Sequence, residues 1–408
     1  MRNEEQNHRH CGLDPQSPGR MRVKPTMMFA RSQFALFILH SSLFILHSLF
    51  FLVSCNNKGI HEPTSAALGF TIENHGEITV LTVSNPWQGA RNIEYRYALV
   101  PKGMETPEKY SQYTVIHTPV ESVICLSSTH VAMLSALGQT ASIVALSGTA
   151  FITDSTVREA INEGYIVDIG YEQSLNFEKI ISLNPDVIFA YGVGDELVGS
   201  MARLADLGQK VVYIAEHLER TALSRAEWMK FVAAFFDIQK QATDKFDAIK
   251  DEYLALCSLV EGIEHKPVIL CGLPWQGIWH VPGGKSWMAA MIADAGGDYI
   301  WKNNSSHEPI PVSIETIFNR GGSSDFWINT GAARSLAQIQ AVDARLSNLK
   351  PFREGAVYNN NARTGANGGN DFFESSVVNP HKVLKDMIKI FHPDLLHGGE
   401  LYYYVKLE

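Results

Sequence analysis

The sequence predicts an α/β fold: two parallel-sheet lobes bridged by a long rigid helix, with a small N-terminal β extension. Three observations carry this. From about residue 120, short Val- and Ile-rich runs alternate with amphipathic stretches, the rhythm of a parallel sheet covered by helices. Between 224 and 262 the rhythm stops, with no strand-like run and no proline. It then resumes to the C-terminus. A chain of 408 residues exceeds one ordinary core, so two domains behind a leader is the natural division.

The leader occupies 1–54. FALFILHSSLFILHSLFFLVSC (34–55) is a long apolar run behind Arg31, the pattern of a secretory signal. Its end, Leu52-Val53-Ser54-Cys55, resembles a bacterial lipobox, which implies a diacylglyceryl group on the Cys55 thiol and a mature chain starting there. An uncleaved anchor is the alternative, because the run is long enough to span a bilayer. The polar NNKG after Cys55 favours the lipoprotein. Residues 1–26 are long and polar for such a signal, so the expected start is Met27 or Met28. Residues 55–69 read as a lipidated tether.

Residues 70–119 form the β extension. FTIENHGEITVLTVSNP and IEYRYALVPKG alternate apolar and polar residues between turns. The N-terminal lobe spans 120–223. Its strands are expected at ESVICLS, SIVALSG, PDVIFAYG and KVVYIAE, and its helices at STHVAMLSALG, TDSTVREAINEG, LNFEKIISLN and GSMARLADLG. The bridging helix region, 224–262, opens on a predicted capping box, Ser224-x-x-Glu227. Within it Phe246, Ile249, Tyr253, Leu256 and Val260 recur at three or four residues, one face of a helix. Some 23 residues at ~1.5 Å each give about 35 Å of helix. The C-terminal lobe, 263–408, carries KPVILCG, SWMAAMIADAGG, PVSIETIFN, SDFWINTG, AVYN and the last helix NPHKVLKDMIKIFHPDLL.

Composition narrows the function. The net charge is −9. Of 34 Lys/Arg and 43 acids, six and three lie in the first 54 residues, leaving 28 against 40 beyond them. That balance argues against nucleic acid, which needs clustered cations. Cys11 goes with the leader. Cys125, Cys257 and Cys271 show no metal spacing and are expected as free thiols, the first and last buried in apolar runs. No G-x-S-x-G, post-strand G-x-G-x-x-G, P-loop or H-E-x-x-H occurs, so no enzyme class is indicated. His130, His280, His307, His381 and His392 are scattered, without the converging set a bare metal ion needs. No metal site and no resident cofactor are expected.

One local setting occurs twice. SLNFEKIISLNPDVIFAYG (174–192) and VSIETIFNRGGSSDFWINTG (312–331) both place an apolar residue, Glu, x-Ile, a turn, Asp and an apolar run in order. The second is two residues longer between Glu and Asp and lacks the proline. These segments, with VESVICLSSTHVAMLSALG, LADLGQKVVYI, HVPGGKSWMAAMIADAGGDYIW and the last helix, resemble the periplasmic binding proteins for vitamin B12, ferric siderophores and haem. These are the helical-backbone class of ABC-transporter substrate-binding proteins. The resemblance covers about 120–396.

It implies a binding protein that catalyses nothing and sits outside the cytoplasm, in the periplasm or cell envelope, anchored by lipid. Its cargo would be a metal chelate such as a ferric siderophore, haem or cobalamin. Its partner would be an ABC permease dimer, docked through one glutamate per lobe, Glu178 and Glu315. Ligand would lie between the lobes, where strand C-termini and helix N-termini converge. Thr129 and His130 open a helix after the first strand, where backbone N–H groups suit an anion. Tyr171, Tyr191, Trp275, Trp279 and His280 match positions where such proteins hold aromatic residues against a macrocycle. Arg363, in the Gly/Asn-rich loop 359–373, would pair with a ligand carboxylate or phosphate. A tethered scavenger or sensor without a permease remains the alternative, since the β extension lies outside the resemblance; an α/β hydrolase is the more distant one.

Overall fold

The computed structural model describes residues 67–171 and 174–408; the leader, most of the tether and Cys55 lie outside them. The first element is a four-stranded sheet, β1 (Phe70–His75), β2 (Ile78–Ser84), β3 (Glu94–Pro101) and β4 (Thr114–Thr118), in that spatial order. β1–β2 and β2–β3 are antiparallel, and β3–β4 is parallel. The strand period of two sorts β2 between two cores. Ile78 and Val80 join Ala98, Val100 and Tyr110 in a small core of their own. Leu81 and Val83, with Tyr97, Leu99 and Ile116, face the other way into the core of the first lobe. Tyr97 Oη accepts from the Tyr213 backbone N–H at 3.0 Å. The Glu219 carboxylate accepts from the N–H groups of Leu68 and Gly69, just before β1. The extension is therefore built into the first lobe.

That lobe is a five-stranded parallel sheet of β5 (Val123–Cys125), β6 (Ile143–Leu146), β7 (Val167–Asp168), β8 (Val187–Ala190) and β9 (Val211–Tyr213), in the order β7-β6-β5-β8-β9. The second lobe orders β12 (Asp298–Tyr299), β10 (Val268–Cys271), β14 (Phe326–Ile328) and β15 (Val357–Asn359) in parallel. β16 (Val405–Lys406) closes the edge antiparallel. β11 (Trp279–Val281) and β13 (Ile310–Val312) form a separate antiparallel ribbon.

The repeated segment has a structural counterpart in each lobe. Asp186, just before β8, accepts from the N–H groups of Glu121 and Ser122 at the start of β5. Asp325, just before β14, accepts from the Val268 N–H at the start of β10. Each aspartate ties the strand after its Glu-bearing helix to the first strand of its lobe. Partial burial works against ionisation of both, but the hydrogen bonds outweigh it and hold both carboxyls below the usual range.

The bridging region corrects the sequence reading in two ways. It holds two helices, Ala222–Ala234 and Gln239–Leu259, separated by a turn in which Asp237 is left-handed at φ 56°. The first is capped by Thr221, with Ser224 as its reciprocal partner, and not by Ser224 with Glu227. Ser224 is one turn inside the helix because the hydroxyl of Thr221 already satisfies its N–H at 3.1 Å. The long helix has 21 residues, about 31 Å at ~1.5 Å per residue. Its Ala242, Phe246 and Ile249 belong to the first lobe's core, and its Tyr253 and Leu256 to the second's. The shorter helix also divides, with Ala222 and Leu223 in the second core and Ala226 to Ala234 on the first.

Candidate ligand cleft

The C-terminal ends of both sheets feed their loops toward the junction of the lobes, where an open α/β sheet binds ligand. The chain is cross-tied there. The Glu374 carboxylate, in the second lobe, accepts from the N–H groups of Thr153 and Asp154, in the first, at 2.7 and 2.8 Å. Gly369 passes so close to the Phe151 carbonyl that an added Cβ would lie 2.2 Å from its oxygen. Only glycine fits that crossing.

Beside these ties lies a cavity of about 440 Å³. Ala150, Thr153 and Arg158 wall it from the first lobe, and Arg363, Asn367 and Asp371 from the second. Arg158 sits on the Ser155–Asn162 helix, capped by Asp154, and its Nη1 donates to the Thr149 carbonyl at 2.7 Å. Arg363 donates from Nε to Asp371 and lies 4.5 Å over the Tyr402 ring. Two guanidiniums and one committed carboxylate leave the walls net cationic. Phe151, between the lining residues Ala150 and Ile152 in sequence, is exposed and meets exposed Tyr171 edge to face at 6.4 Å, and neither of the two lines the cavity. A ligand carrying carboxylate or phenolate oxygens suits such walls, where the arginines take its charge.

Deeper in the first lobe is a buried ionisable cluster. Glu216, after β9, lies 4.0 Å from Arg225 and 3.9 Å from His217. These distances attract without making hydrogen bonds. Both ring nitrogens of His130, Glu216 Oε2, His217 Nε2 and Arg225 Nε are buried and have no hydrogen-bond partner. Burial lowers His130 to about 4, the neighbouring Glu216 notwithstanding. Burial alone would raise Glu216, but His217, Arg225 and His130 around it pull it down. Arg225 also stacks at 4.5 Å on Trp287 of the second lobe.

A family model described as periplasmic binding protein matches residues 123–363. The chain belongs to the periplasmic binding protein family. It is a solute-binding protein rather than an enzyme. An uncharacterised lipoprotein of Methanocaldococcus jannaschii is 26% identical over 305 residues, 72% of this chain and 70% of that one. The vitamin B12-binding protein of Vibrio parahaemolyticus is 24% identical over 226 residues, 52% of this chain and 73% of that one. The solved structure of a possible iron-binding (periplasmic solute-binding) protein from Staphylococcus epidermidis shares the fold. Its TM-score is 0.54 at 17% identity, covering 67% of this chain and 100% of that one.

Within this binding protein the expected ligand residues part company. Trp275 is 71% exposed and Trp279 only 1%. Trp275 and Ile278 flank a two-residue turn with Gln276 and Gly277 both at positive φ. The alternation beyond that turn sends Trp279 inward. There its Nε1 donates to the Cys271 carbonyl at 3.1 Å and its ring stacks on Trp327. Trp279 is a core residue, which corrects the expectation that it contacts ligand. His130 is likewise corrected: it is 0% exposed and packs edge-on against Phe189 and Tyr191. Thr129 is buried, its hydroxyl bonded to the Ser127 cap at 2.9 Å. Tyr191 is half-buried between His130 and His217. His280 is exposed on β11 opposite Pro311. Of the expected set, Arg363 alone lines the cavity among the described residues, and Tyr171 is exposed against Phe151.

Glu178 and Glu315 are both exposed and occupy the same position, second residue of a helix. Asn176 and Ser313 are the respective N-caps, each accepting from the N–H three residues on. The two differ in surroundings, since Glu315 lies 3.5 Å from Arg345. Sequence reasoning missed Arg158 and the Glu216–His217–Arg225 cluster. The signal for the cluster was present: Glu216-His217 directly follows KVVYIA, at the C-terminal end of a predicted strand, where ligand loops begin.

Proposed function

We propose that this protein is the lipid-anchored substrate-binding component of an ABC importer. It captures a metal chelate (a ferric siderophore, haem or a corrinoid) between its lobes and delivers it to a permease dimer. The observation that carries the reading is the net-cationic interlobe cavity, with Arg158 from one lobe and Arg363 from the other. The names of the relatives agree with it, since one binds vitamin B12 and another is described as possibly iron-binding. The matched placement of Glu178 and Glu315 supports docking on two related permease subunits, where acidic contacts steer the encounter. The anchor is the lipid on Cys55, and the protein works outside the cytoplasm, consistent with a relative named as a lipoprotein.

The test is titration of the full-length protein in mild detergent with cobalamin, haem and a panel of ferric siderophores, read by tryptophan fluorescence. One ligand should quench saturably, with affinity reduced at least tenfold by Arg158→Ala and Arg363→Ala and unchanged by Glu178→Ala/Glu315→Ala. In cells, the double glutamate variant should lose uptake of that ligand. Saturable binding with uptake untouched by the double variant would refute the docking role. No binding across the panel would refute the cargo class.

A further inference from the structure

The interlobe cavity is small and polar. Its volume of about 440 Å³ stands at the small end of the ~300–1,000 Å³ that ligand pockets span. Among the described residues, neither an aromatic ring nor a histidine lines it. Flat macrocycles are held by aromatic faces or by an axial side-chain ligand to their metal, and these walls offer neither. They offer hydrogen bonds instead, from the Thr153 hydroxyl, the Asn367 amide and two guanidiniums.

The two arginines differ in what already holds them. Arg158 is half-buried, and its side chain donates only to the neutral Thr149 carbonyl, with no ion pair among the described residues. The nearby acids are engaged elsewhere. Asp154 accepts from the Ser135 hydroxyl and the Val157 N–H, and Asp168 from Thr149 and Gly170. Glu374 is taken up by the Thr153 and Asp154 N–H groups. Arg363, by contrast, has a counter-ion in place. Its Nε donates to one oxygen of buried Asp371, whose other oxygen accepts from Thr153 Oγ1 at 3.3 Å across the lobe junction. Charge on the second-lobe wall is therefore cancelled, and charge on the first-lobe wall is open. A half-buried guanidinium without a carboxylate, in the wall of a cavity, matches a carboxylate of the ligand. The terminal nitrogens of Arg363 have no hydrogen-bond partner among the described residues. They can still donate, to an oxygen that need carry no charge.

We infer that this cavity takes a compact, oxygen-rich ferric carboxylate chelate and turns away haem and corrinoids, with Asp371 as the residue that sets its charge preference. A ligand carboxylate sits on Arg158, and hydroxyl or carbonyl oxygens sit on Arg363 and Asn367. Asp371 is a built-in counter-anion: it orients Arg363 and limits how much further negative charge the second-lobe wall accepts. The inference rests on the reading of this cavity as the cargo site.

The test titrates the full-length protein in mild detergent by calorimetry with ferric citrate, an uncharged ferric trihydroxamate, haem and cyanocobalamin, and with iron-free citrate as control. Ferric citrate should bind saturably, at one site per chain and at least tenfold tighter than any other probe. Arg158→Ala should weaken it at least tenfold, and Arg158→Lys, which keeps the charge, should restore most of that loss. Asp371→Asn keeps the shape of the side chain and removes its charge. It should tighten ferric citrate at least threefold and leave the trihydroxamate within twofold, whereas a purely structural role would weaken every probe together. Circular dichroism melts confirm that the variants remain folded. Tightest binding by haem, cobalamin or the trihydroxamate, lost in Arg158→Ala, overturns the carboxylate assignment and leaves the cargo reading standing. Equal binding of iron-free citrate overturns the chelate, and unchanged or weaker ferric citrate binding in Asp371→Asn overturns the role of that residue. Tight binding that Arg158→Ala leaves intact, or no binding by any probe, refutes the cargo reading of the cavity and this inference with it.

Discussion

Trp275 and Trp279 stand four residues apart and should respond to alanine in opposite ways. Trp279 is enclosed, stacked on Trp327 at 5.6 Å and hydrogen-bonded to Cys271 O. Truncating a buried Trp costs about 3–5 kcal/mol. Leaving the Cys271 carbonyl unpaired adds about 1 kcal/mol or more, and losing an aromatic partner ~0.5–1.5 kcal/mol. These terms overlap, so about 4–6 kcal/mol is expected for Trp279→Ala. That is a large share of the ~5–15 kcal/mol that holds a typical domain together. Trp279→Phe keeps a ring but not the N–H and should lose about 1–2 kcal/mol. Trp275→Ala removes an exposed side chain and should stay within ~0.5 kcal/mol of the parent. Urea unfolding followed by far-UV circular dichroism measures all three. The reasoning fails if Trp279→Ala unfolds within 1 kcal/mol of the parent or if Trp275→Ala proves the more destabilised of the two.

Two further outcomes follow from the charges. Asp186→Asn and Asp325→Asn should each lower the urea midpoint at neutral pH, because both native carboxyls are held below the usual range. The ionised form supplies that stability above the unfolded-state value of about 3.9. The gap to the parent should therefore close as pH falls through the folded-state values, and a pH-independent gap would contradict the tie. His130 is buried as the neutral ring, lowered to about 4 by that burial. The unfolded chain thus binds a proton that the folded one refuses, and stability falls as pH drops from about 6.5. His130→Phe should flatten that fall between pH 6.5 and 4, and an unchanged pH profile of the unfolding midpoint would count against it.

Much of the fold was legible because its signals are local. The stripe Phe246, Ile249, Tyr253, Leu256 announced the long helix, and all four are buried. The strand-helix alternation announced both sheets. What escaped depends on single backbone turns or on burial from two sides. Nothing in PWQGIWH says that Gln276 adopts φ 51°, and that one residue decides which tryptophan faces outward. Asp237 splits the bridging helices in the same way, at φ 56° without a glycine. The N-terminal sheet looked like an appendage, yet ITVLTVS carries apolar residues at both parities, Ile78 and Val80 against Leu81 and Val83. A strand buried on one face alternates cleanly, and this one does not. Arg158 was hidden in an ordinary amphipathic helix, and only the close approach of the 362–371 loop from the other lobe brings it into a cavity wall.

The way the two cores share helices limits how the lobes can move. A hinge that kept this helix straight would pull Ala242, Phe246 and Ile249 from one core or Tyr253 and Leu256 from the other, since one continuous helix carries both groups. The Ala222–Ala234 helix repeats the constraint. Val377 and Val378, beyond the Glu374 tie, reach from the second lobe's sequence into the first lobe's core. Apolar side chains of this size cost about 1.5–3 kcal/mol each to expose, and a cargo can offset that only by its differential affinity for the two arrangements. On the cargo reading proposed above, selection rests on walls that already stand, with Arg158 from one lobe and Arg363 from the other.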